Sequence, residues 1–434
     1  MNSGISMPAT DSAAQKPARG LAWGIVALLW FAYLINYIDR QIAFSIFPVL
    51  HKELHFSDTQ LGLVGSLFIW VYSLAMPFTG RIADVCRRDR AVVGSIALWS
   101  LATLGTGLSA STGGFLAWRA AMGVTEAFYM PAALALIADF HPGATRSKAL
   151  AIHGTAQFAG IVAGGWFGGW MADSVGWRYG FILLAGAGLA YTVVMAGMFP
   201  RFPRRVSERK SGLSAPLAVL KFRCYLALTC AFFVFNFMLW MYYAWLPNWV
   251  HERYGLSLTQ SGFTGSFYLQ VSTVAGVLAG GGFGDWMALR VGPGRFYVAG
   301  AGLLLCSPFA WLSLASGSLT LFKLACAAFG LASGLMIANL YASAYDVVSE
   351  ENYGFSAGAL NFCGGLAGGT AVFLAGLWKQ SVGLAILMKW AALAAAVGAC
   401  FLLLVAASAF QSDRRRLASR ASRWFHRAAR FPGM

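Results

Sequence analysis

Charged residues are scarce in this chain of 434 residues. Asp, Glu, Lys and Arg together make up 11% of it, and the acidic residues number only 16. A soluble domain carries about 25% charged residues, whereas here 58% of the residues are hydrophobic and the mean hydropathy is +0.63. This composition excludes a water-soluble core and a disordered chain. It predicts a membrane protein with room for about a dozen spans of about 20 apolar residues each.

The sequence also lacks the motifs of metal-dependent hydrolysis and of ATP-driven pumping. It contains no His-Glu-x-x-His pattern and no Walker-type Gly-x-x-x-x-Gly-Lys-Ser/Thr pattern. Its seven cysteines form no Cys-x-x-Cys pair and lie mostly in apolar runs, as small core residues do. We therefore expect no enzyme activity, no metal site and no bound cofactor.

The apolar segments form two sets of six. They cover residues 22–49, 60–82, 91–110, 113–138, 148–171 and 178–199, then 225–249, 261–284, 296–315, 319–345, 355–378 and 384–410. We predict an all-α membrane protein with twelve transmembrane helices in two pseudo-symmetric six-helix bundles, residues 21–199 and 225–410. Outside the bundles we expect a disordered tail (1–20), a basic cytoplasmic linker (200–224) and a basic amphipathic tail that lies on anionic lipid (411–434).

Positive charges favour one side of the predicted membrane. Most of the 32 Lys and Arg residues fall in the two tails, in the 200–224 linker and in the alternate loops of the same side. By the positive-inside rule, these segments and both termini are cytoplasmic. The net charge of +16 therefore reports topology, and we expect no nucleic-acid partner.

The two sets of segments carry an internal repeat. The pattern Gly-x-x-x-Asp ends the second segment at residues 80–84 and the eighth at residues 281–285. The fifth and eleventh segments both carry closely spaced glycines, which let transmembrane helices approach each other. Matched positions in two halves are typical of transporters whose halves rock about a central site.

Two stretches of the sequence resemble motifs of the major facilitator superfamily, and the likeness extends over essentially the whole chain. They are Gly-Arg-Ile-Ala-Asp at residues 80–84 and Gly-Trp-Arg at residues 176–178. Within the superfamily, the chain resembles the anion:cation symporter family in Asn-Tyr-Ile-Asp-Arg at 36–40, Arg-x-x-x-Gly-x-x-Glu-Ala at 119–127 and Gly-x-x-Asn-x-x-Gly at 358–364. Bacterial members of the galactonate, glucarate and hexuronate type import sugar acids with protons. The resemblance implies the same activity for this chain.

Three charged residues lie near the middle of predicted spans: Asp39 and Arg40 in the first, and Glu126 in the fourth. A charge at that depth costs about 2.5 to 3.5 kcal/mol on insertion scales. Such residues need pairing, water or a functional reason. The structural alternative is an ion-pair cluster that only holds two helices together.

Helical geometry separates the directions of the neighbouring charges. Tyr37 and Arg40 share one helix face, whereas Asp39 is turned from Arg40 by about 100 degrees. Arg40 can then face a central cavity while Asp39 points toward a neighbouring helix, and because Glu126 and Arg119, seven residues apart, share a face, Glu126 can meet Asp39 or Arg119. Because a guanidinium binds a carboxylate with two hydrogen bonds, we expect Arg40 to bind the substrate carboxylate.

Asp39 and Glu126 are the predicted proton carriers. Two carboxyl groups close together in a low dielectric resist being ionised at the same time. Such a pair can take up a proton on one side of the membrane and release it on the other. The resemblance implies the same roles, and Arg119 joins the pair in one charge network.

Other residues are assigned to the substrate and to a gate. The resemblance places Tyr37, Tyr72, Gln157 and Asn361 at positions that contact the sugar acid. At the cytoplasmic helix ends, acids lie beside arginines, and we expect these residues to latch the outward-open state: Asp84, Arg88, Asp285 and Arg290.

The Spinster-like branch of the superfamily is a second resemblance, since it shares the Asn-Tyr-x-Asp-Arg and Gly-x-x-Glu-Ala stretches. Its members handle lysolipids and sphingoid lipids, and a lysolipid path needs an apolar groove open sideways to the membrane. A sugar acid instead needs aromatic and amide partners around an arginine, which this sequence supplies. The prediction is import of a small organic anion with protons by alternating access, by a monomer in the bacterial inner membrane.

Overall fold

A computed structural model describes residues 19–85, 87–141, 145–199 and 216–428. These residues form fourteen α-helices, with no β-strand among them. The helices are α1 (Arg19–Ser45), α2 (Phe47–Glu53), α3 (Asp58–Val85), α4 (Arg88–Gly107), α5 (Thr112–Ala127), α6 (Tyr129–Phe140), α7 (Arg146–Ser174), α8 (Trp177–Met198), α9 (Arg223–Tyr254), α10 (Leu258–Arg290), α11 (Gly294–Ala315), α12 (Leu319–Val347), α13 (Tyr353–Val382) and α14 (Leu384–Ala428).

Two of the predicted spans are each divided into two helices by a proline. Between α5 and α6 the break falls at Phe128, because Pro131 has no N–H to donate to the carbonyl of Ala127. That carbonyl instead accepts a hydrogen bond from the hydroxyl of Thr79 at 2.9 Å. Between α1 and α2 the break falls at Ile46, and a proline lies in the first turn of α2.

Nine helical stretches are long and apolar enough to cross a membrane, counted over the described residues. Helices α4, α7 and α10 are long enough but rich in Gly, Ser and Thr, which lowers their hydropathy. The all-α membrane architecture is therefore confirmed at this level. The number of twelve spans and the cytoplasmic side of the termini stay predictions.

The N-terminal half of the chain comprises α1–α8 and the C-terminal half α9–α14. Inside the first half, α1 packs on α7, α4 on α8 and α3 on α5; inside the second, α12 packs on α10 and α11, and α9 on α13 and α14. Between the halves, α3 packs on α13 and α7 on α10. The site described below lies among α1, α3 and α5, and of these α1 and α3 also pack on helices of the C-terminal half.

The end of the bundle where α1 begins and α14 ends is called the terminus end, and the opposite end is called the distal end. At the distal end the halves are joined by polar contacts. Lys379 Nζ of α13 lies 3.1 Å from Asp58 Oδ1 of α3. Asp173 of α7 accepts hydrogen bonds from the backbone N–H of Leu258 (3.3 Å) and Thr259 (2.8 Å) at the start of α10.

Close helix contact at the distal end depends on two glycines. A Cβ atom on Gly262 of α10 would lie 1.9 Å from the carbonyl oxygen of Gly165 of α7, and one on Gly165 would lie 2.7 Å from the carbonyl of Gly262. No side chain fits at these separations. The glycines of the fifth segment, singled out in the sequence, therefore bring the two halves together here.

Parts of the predicted organisation lie outside the described residues. They are most of the tail 1–20, residues 200–215 of the linker, and the side chains of the last tail from residue 420 on. The described backbone of α14 continues past residue 410 to Ala428.

Candidate functional site

The centre of the site is an ion pair between two helices of the N-terminal half. Arg40 Nε of α1 donates a hydrogen bond to Glu126 Oε2 of α5 at 2.7 Å. The side chains are 7% and 0% exposed. Removing one partner of such a buried pair leaves an uncompensated charge, so the pair is costly to break without a replacement.

Aromatic rings surround the guanidinium group. Its central carbon lies 4.6 Å from the ring centre of Tyr72, 4.7 Å from that of Tyr37 and 4.8 Å from that of Phe68. Ring faces attract a cation without neutralising it. Arg40 therefore stays positively charged, so its guanidinium can bind another carboxylate in place of Glu126.

Asp39 and Arg119 lie beside this pair without forming a direct ion pair. Asp39 accepts a hydrogen bond from the hydroxyl of Thr103 on α4. Arg119 is fully buried, and its Nε and Nη1 atoms donate to the backbone carbonyls of Val64 (3.2 Å) and Asp39 (3.4 Å). The structure thus brings two acids and two arginines into one buried cluster of α1 and α5.

Some polar atoms of this cluster make no hydrogen bond to any residue that the structure describes. They are Asp39 Oδ1 and Arg119 Nη2, and the Asn36 amide lies within loose reach of the Glu126 carboxylate. Buried polar groups are normally satisfied, by protein or by water. Unused hydrogen-bonding capacity is thus present where the sequence predicted protons and substrate.

Gln157 of α7 joins the site through tyrosines. Its side-chain carbonyl accepts a hydrogen bond from the Tyr33 hydroxyl at 3.4 Å. The Tyr33 ring packs edge-on against Tyr37, with 5.0 Å between ring centres, and Tyr37 lies under Arg40. Gln157 is therefore one residue removed from the ring that contacts the guanidinium.

Asn361 lies in the other half of the molecule. The structure places it on α13, exposed, where its side-chain oxygen accepts a hydrogen bond from Tyr341 at 2.9 Å and its amide nitrogen donates to Ala357 at 3.0 Å. Tyr341 in turn lies near Tyr37 and Tyr72 of the N-terminal half. Asn361 faces the site without touching Arg40.

The predicted gate residues at the terminus end have partners within their own halves. Arg88 pairs with Asp139, and Asp285 lies 2.8 Å from Arg295 rather than beside Arg290. The Arg290 guanidinium lies over the Trp286 ring at 4.0 Å. Asp84 ends the second predicted span, and its side chain lies outside the described part of the structure.

Sequence reasoning missed Phe68, Thr103 and Gln270. Phe68 lies under both Arg40 and Arg119, but one phenylalanine among 33 gives no signal. Thr103 binds Asp39, yet a threonine in a helix usually bonds its own backbone. Gln270 of α10 is fully buried, and an amide inside a predicted span was the one signal that could have identified it.

An apolar cleft of about 920 Å³ opens between the halves. Helices α7 and α10 form its walls, and its lining includes Trp30, Phe158, Trp166 and Phe263. Trp166 is 45% exposed, so the cleft reaches the lateral surface of the bundle. Such a lateral groove is the feature that the lipid alternative requires.

One hydrolase-like pattern occurs in the chain. Residues 354–358 read Gly-Phe-Ser-Ala-Gly, which matches the Gly-x-Ser-x-Gly spacing of a nucleophile elbow between a strand and a helix. Here the pattern lies within α13, and the hydroxyl of the fully buried Ser356 donates to the carbonyl of Tyr353 at 3.2 Å. A helical serine bonded to its own backbone is not presented for nucleophilic attack.

The chain matches the sequence profile of a known protein family. The sequence profile of the Major Facilitator Superfamily matches residues 29–372, so the chain belongs to this superfamily. The chain is therefore a transporter and not an enzyme.

Individual relatives narrow the comparison. The D-galactonate transporter of Escherichia coli O6:H1 is 24% identical over 424 residues, 90% of this chain and 97% of that protein. The probable sulfoacetate transporter SauU of Cupriavidus necator is 26% identical over 60% of this chain and 64% of its own length. Sugar-acid transporters form one group of relatives, and homologues of protein spinster form a second.

A solved structure shares the fold. It is a bacterial homologue of the human lysosomal transporter Spinster in an inward-facing, occupied conformation, with a TM-score of 0.79 and 18% identity over 92% of this chain and 99% of that one. At that identity the likeness concerns the fold alone.

Proposed function

We propose that this protein is a proton-coupled secondary active transporter that imports a small organic anion, a sugar acid such as a hexonate or hexuronate, by alternating access. The observation that carries the proposal is the buried Arg40–Glu126 pair at 2.7 Å within an aromatic enclosure. A proton-coupled carboxylate transporter can use a buried cation that pairs with a carboxylate of the protein when no substrate is bound. The same cation binds the substrate carboxylate once the acid of the protein is protonated. The sugar-acid transporters among the relatives support this substrate class.

Proton coupling follows from competition for the Arg40 guanidinium. Ionised Glu126 occupies it and holds a substrate carboxylate off. A proton on Glu126 removes that negative charge and frees the guanidinium to bind the substrate with two parallel hydrogen bonds. Proton and anion are then bound together or not at all, which is the requirement for symport.

Asp39 is the second proton carrier in this scheme. It lies next to Arg40 in the chain, is almost fully buried, and its Oδ1 atom has no hydrogen bond within the described residues. Arg119 adds positive charge nearby and stabilises the ionised form of either acid. We infer that Asp39 passes protons to and from Glu126.

Tyrosine and amide groups give the site a polar wall suited to hydroxylated substrates. Tyr37 and Tyr72 of the N-terminal half contact Arg40 directly. Gln157, through Tyr33, and Asn361, through Tyr341, lie on the periphery. We assign these four to the substrate hydroxyls.

The topology belongs to the same proposal: twelve spans, both termini cytoplasmic, and a monomer in the bacterial inner membrane. With the terminus end in the cytoplasm, the polar contacts at the distal end close the outer side. The Arg40–Glu126 pair, with no substrate between its partners, then corresponds to the inward-facing state after substrate release. When the inner side closes, we expect Arg88, Asp285 and Arg290 to exchange their present partners for partners across the halves, and Asp84 to join that latch.

The second candidate is a Spinster-like transporter of lysophospholipid or sphingoid lipid. The lateral apolar cleft favours it, since an acyl chain could enter between α7 and α10 from the bilayer. The polar wall around Arg40 favours the sugar acid.

Proteoliposome uptake tests the proposal. Vesicles with an inward proton gradient are given labelled hexonates, hexuronates and lysophospholipid, with wild type, Arg40→Ala and Arg253→Ala, an exposed arginine at the distal end of α9. Saturable, gradient-driven sugar-acid uptake that Arg40→Ala abolishes and Arg253→Ala retains is the expected result. Uptake of lysophospholipid without sugar-acid uptake would establish the second candidate instead.

A further inference from the structure

The C-terminal half must also hold the substrate, yet most of its buried polar groups are already bonded to backbone. The Asn339 amide donates to Gly280 at 2.9 Å and to Leu335 at 3.0 Å. The Tyr242 hydroxyl donates to Ala310 at 2.9 Å. These side chains stabilise helix packing and have no donor to spare for a ligand.

Gln270 of α10 is different. It is 0% exposed, and its amide makes no well-formed hydrogen bond to a residue that the structure describes; the Tyr243 hydroxyl lies within loose hydrogen-bonding reach of it. Its neighbour Val271 is 50% exposed, so Gln270 points to the interior of the bundle. An amide buried in this way lowers stability unless a partner arrives.

Its surroundings connect the lateral cleft with the charge cluster. Gln270 lines the cleft between α7 and α10. Because it is fully buried, it lies at the inner side of the cleft, away from the lateral opening at Trp166. The backbone carbonyl of the adjacent Tyr243 accepts a hydrogen bond from Gln41 of α1 at 3.2 Å. Gln41 follows Arg40 in the chain. Gln270 therefore lies where the C-terminal half meets the helix that carries the arginine.

We propose that Gln270 is a specificity residue of the C-terminal half, additional to Asn361, and binds a hydroxyl group at the end of the substrate opposite its carboxylate. A primary amide both donates and accepts hydrogen bonds, and so does a hydroxyl. This assignment rests on the proposed function, in which Arg40 binds the carboxylate. The substrate then bridges the two halves, with its charged end on α1 and its hydroxylated end on α10.

The test compares Gln270→Leu with Gln260→Leu. Gln260 is the matched control because it lies on the same helix and lines the same cleft but is exposed. Uptake kinetics are measured for a hexonate and for its analogue that lacks the terminal hydroxyl. For Gln270→Leu we expect KM for the hexonate to rise roughly tenfold with little change in the maximal rate, and the preference over the deoxy analogue to disappear. Gln270→Asn should restore part of that preference.

The variant is expected to fold, because leucine replaces an amide whose contact with the Tyr243 hydroxyl is loose. Thermal unfolding of both variants, without substrate, checks this. A Gln270→Leu protein with wild-type KM and wild-type selectivity would overturn the assignment while the proposed function stands. Wild-type vesicles that take up no sugar acid would overturn the proposed function, and the assignment with it.

Discussion

Lys379 of α13 lies 3.1 Å from Asp58 of α3, and this ion pair joins the two halves of the molecule at the distal end. The same ammonium group lies 2.8 Å from Glu252 of α9, and Gln380 donates to the second oxygen of Asp58. The Asp58 side chain is 7% exposed and that of Lys379 17%. The contact is thus shielded from water and holds the distal end closed.

Neutralising Asp58 should shift the conformational equilibrium toward a state that is open at the distal end. A shielded pair of this kind contributes on the order of 1 kcal/mol, which corresponds to roughly a fivefold change in the population ratio. Asp58→Asn in a protein with one spin label on each half should lengthen the distal distance in pulsed electron resonance. Lys389→Met is the matched control, because Lys389 lies over the Trp311 ring. Equal distance distributions in both variants would show that the pair does not hold the halves.

Asp173 provides a pH-dependent contact at the same end, beyond the predicted span 148–171. Partial burial acts to raise the pKa of its carboxyl, but hydrogen bonds from the Thr259 hydroxyl and from the N–H groups of Thr259 and Leu258 outweigh burial and hold that pKa below its usual range. A lowered pKa means that the contact is fully present above the ordinary aspartate value of about 3.9. It is lost as the pH falls through the lowered value.

We therefore expect acid on the distal side to loosen the α7–α10 contact, with a transition below about pH 4. The labelling rate of a cysteine introduced at exposed Gln260 measures the opening. In Asp173→Asn, which cannot titrate, the rate should be higher throughout and independent of pH in this range. A transition that persists in Asp173→Asn would assign the pH effect to another group.

The buried charges could be predicted from the sequence because their cost in a membrane is large and general. Asp39, Arg40 and Glu126 stand out in apolar helices, and helix geometry predicts which side Arg40 faces. The internal repeat was likewise visible in the glycine patterns, and the rocking of two halves that it suggests stays a prediction. A charged residue in an apolar helix and a run of closely spaced glycines in a predicted span each have few physical explanations.

Contacts between distant segments were not predictable in the same way. Asp58 and Lys379 are ordinary charges at helix ends, and only the packing of α3 on α13 brings them together. At the terminus end, Arg290 is the nearest basic residue to Asp285 in the chain, but the structure bonds Asp285 to Arg295 because α11 turns back over the end of α10. Uncharged residues such as Thr103 cost too little in a helix to attract notice.

Glu126→Gln should separate substrate binding from proton coupling. The amide keeps the shape of the side chain but no longer competes as an anion for Arg40. Substrate affinity measured by calorimetry near neutral pH is expected to increase, by about tenfold, which is 1.4 kcal/mol, and to lose its pH dependence. Gradient-driven accumulation should disappear while exchange of labelled for unlabelled substrate continues. Asp39→Asn should likewise abolish accumulation, with some exchange retained.

Glu350→Gln removes an acidic group outside the cluster, at an exposed position before α13, and should leave both properties unchanged. Uphill accumulation that persists in Glu126→Gln and in Asp39→Asn would refute their role as proton carriers. Loss of exchange as well as accumulation would instead indicate that Glu126 only holds α1 and α5 together.

The closed distal end also depends on the absence of side chains where α7 meets α10. In Gly262→Ala, the new methyl group would lie 1.9 Å from the Gly165 carbonyl oxygen, so the helices must separate there. We expect a melting temperature several degrees lower, since a clash with backbone in a packed interface costs about 1 to 3 kcal/mol, together with faster labelling at the distal end.

Gly282→Ala is the control on the same helix, because its Cβ would meet nothing within 4 Å. Alanine favours the helix by about 1 kcal/mol over glycine, so that variant should be at least as stable as wild type. Equal melting temperatures and labelling rates in the two variants would mean that α7 and α10 do not form the closed contact in the membrane.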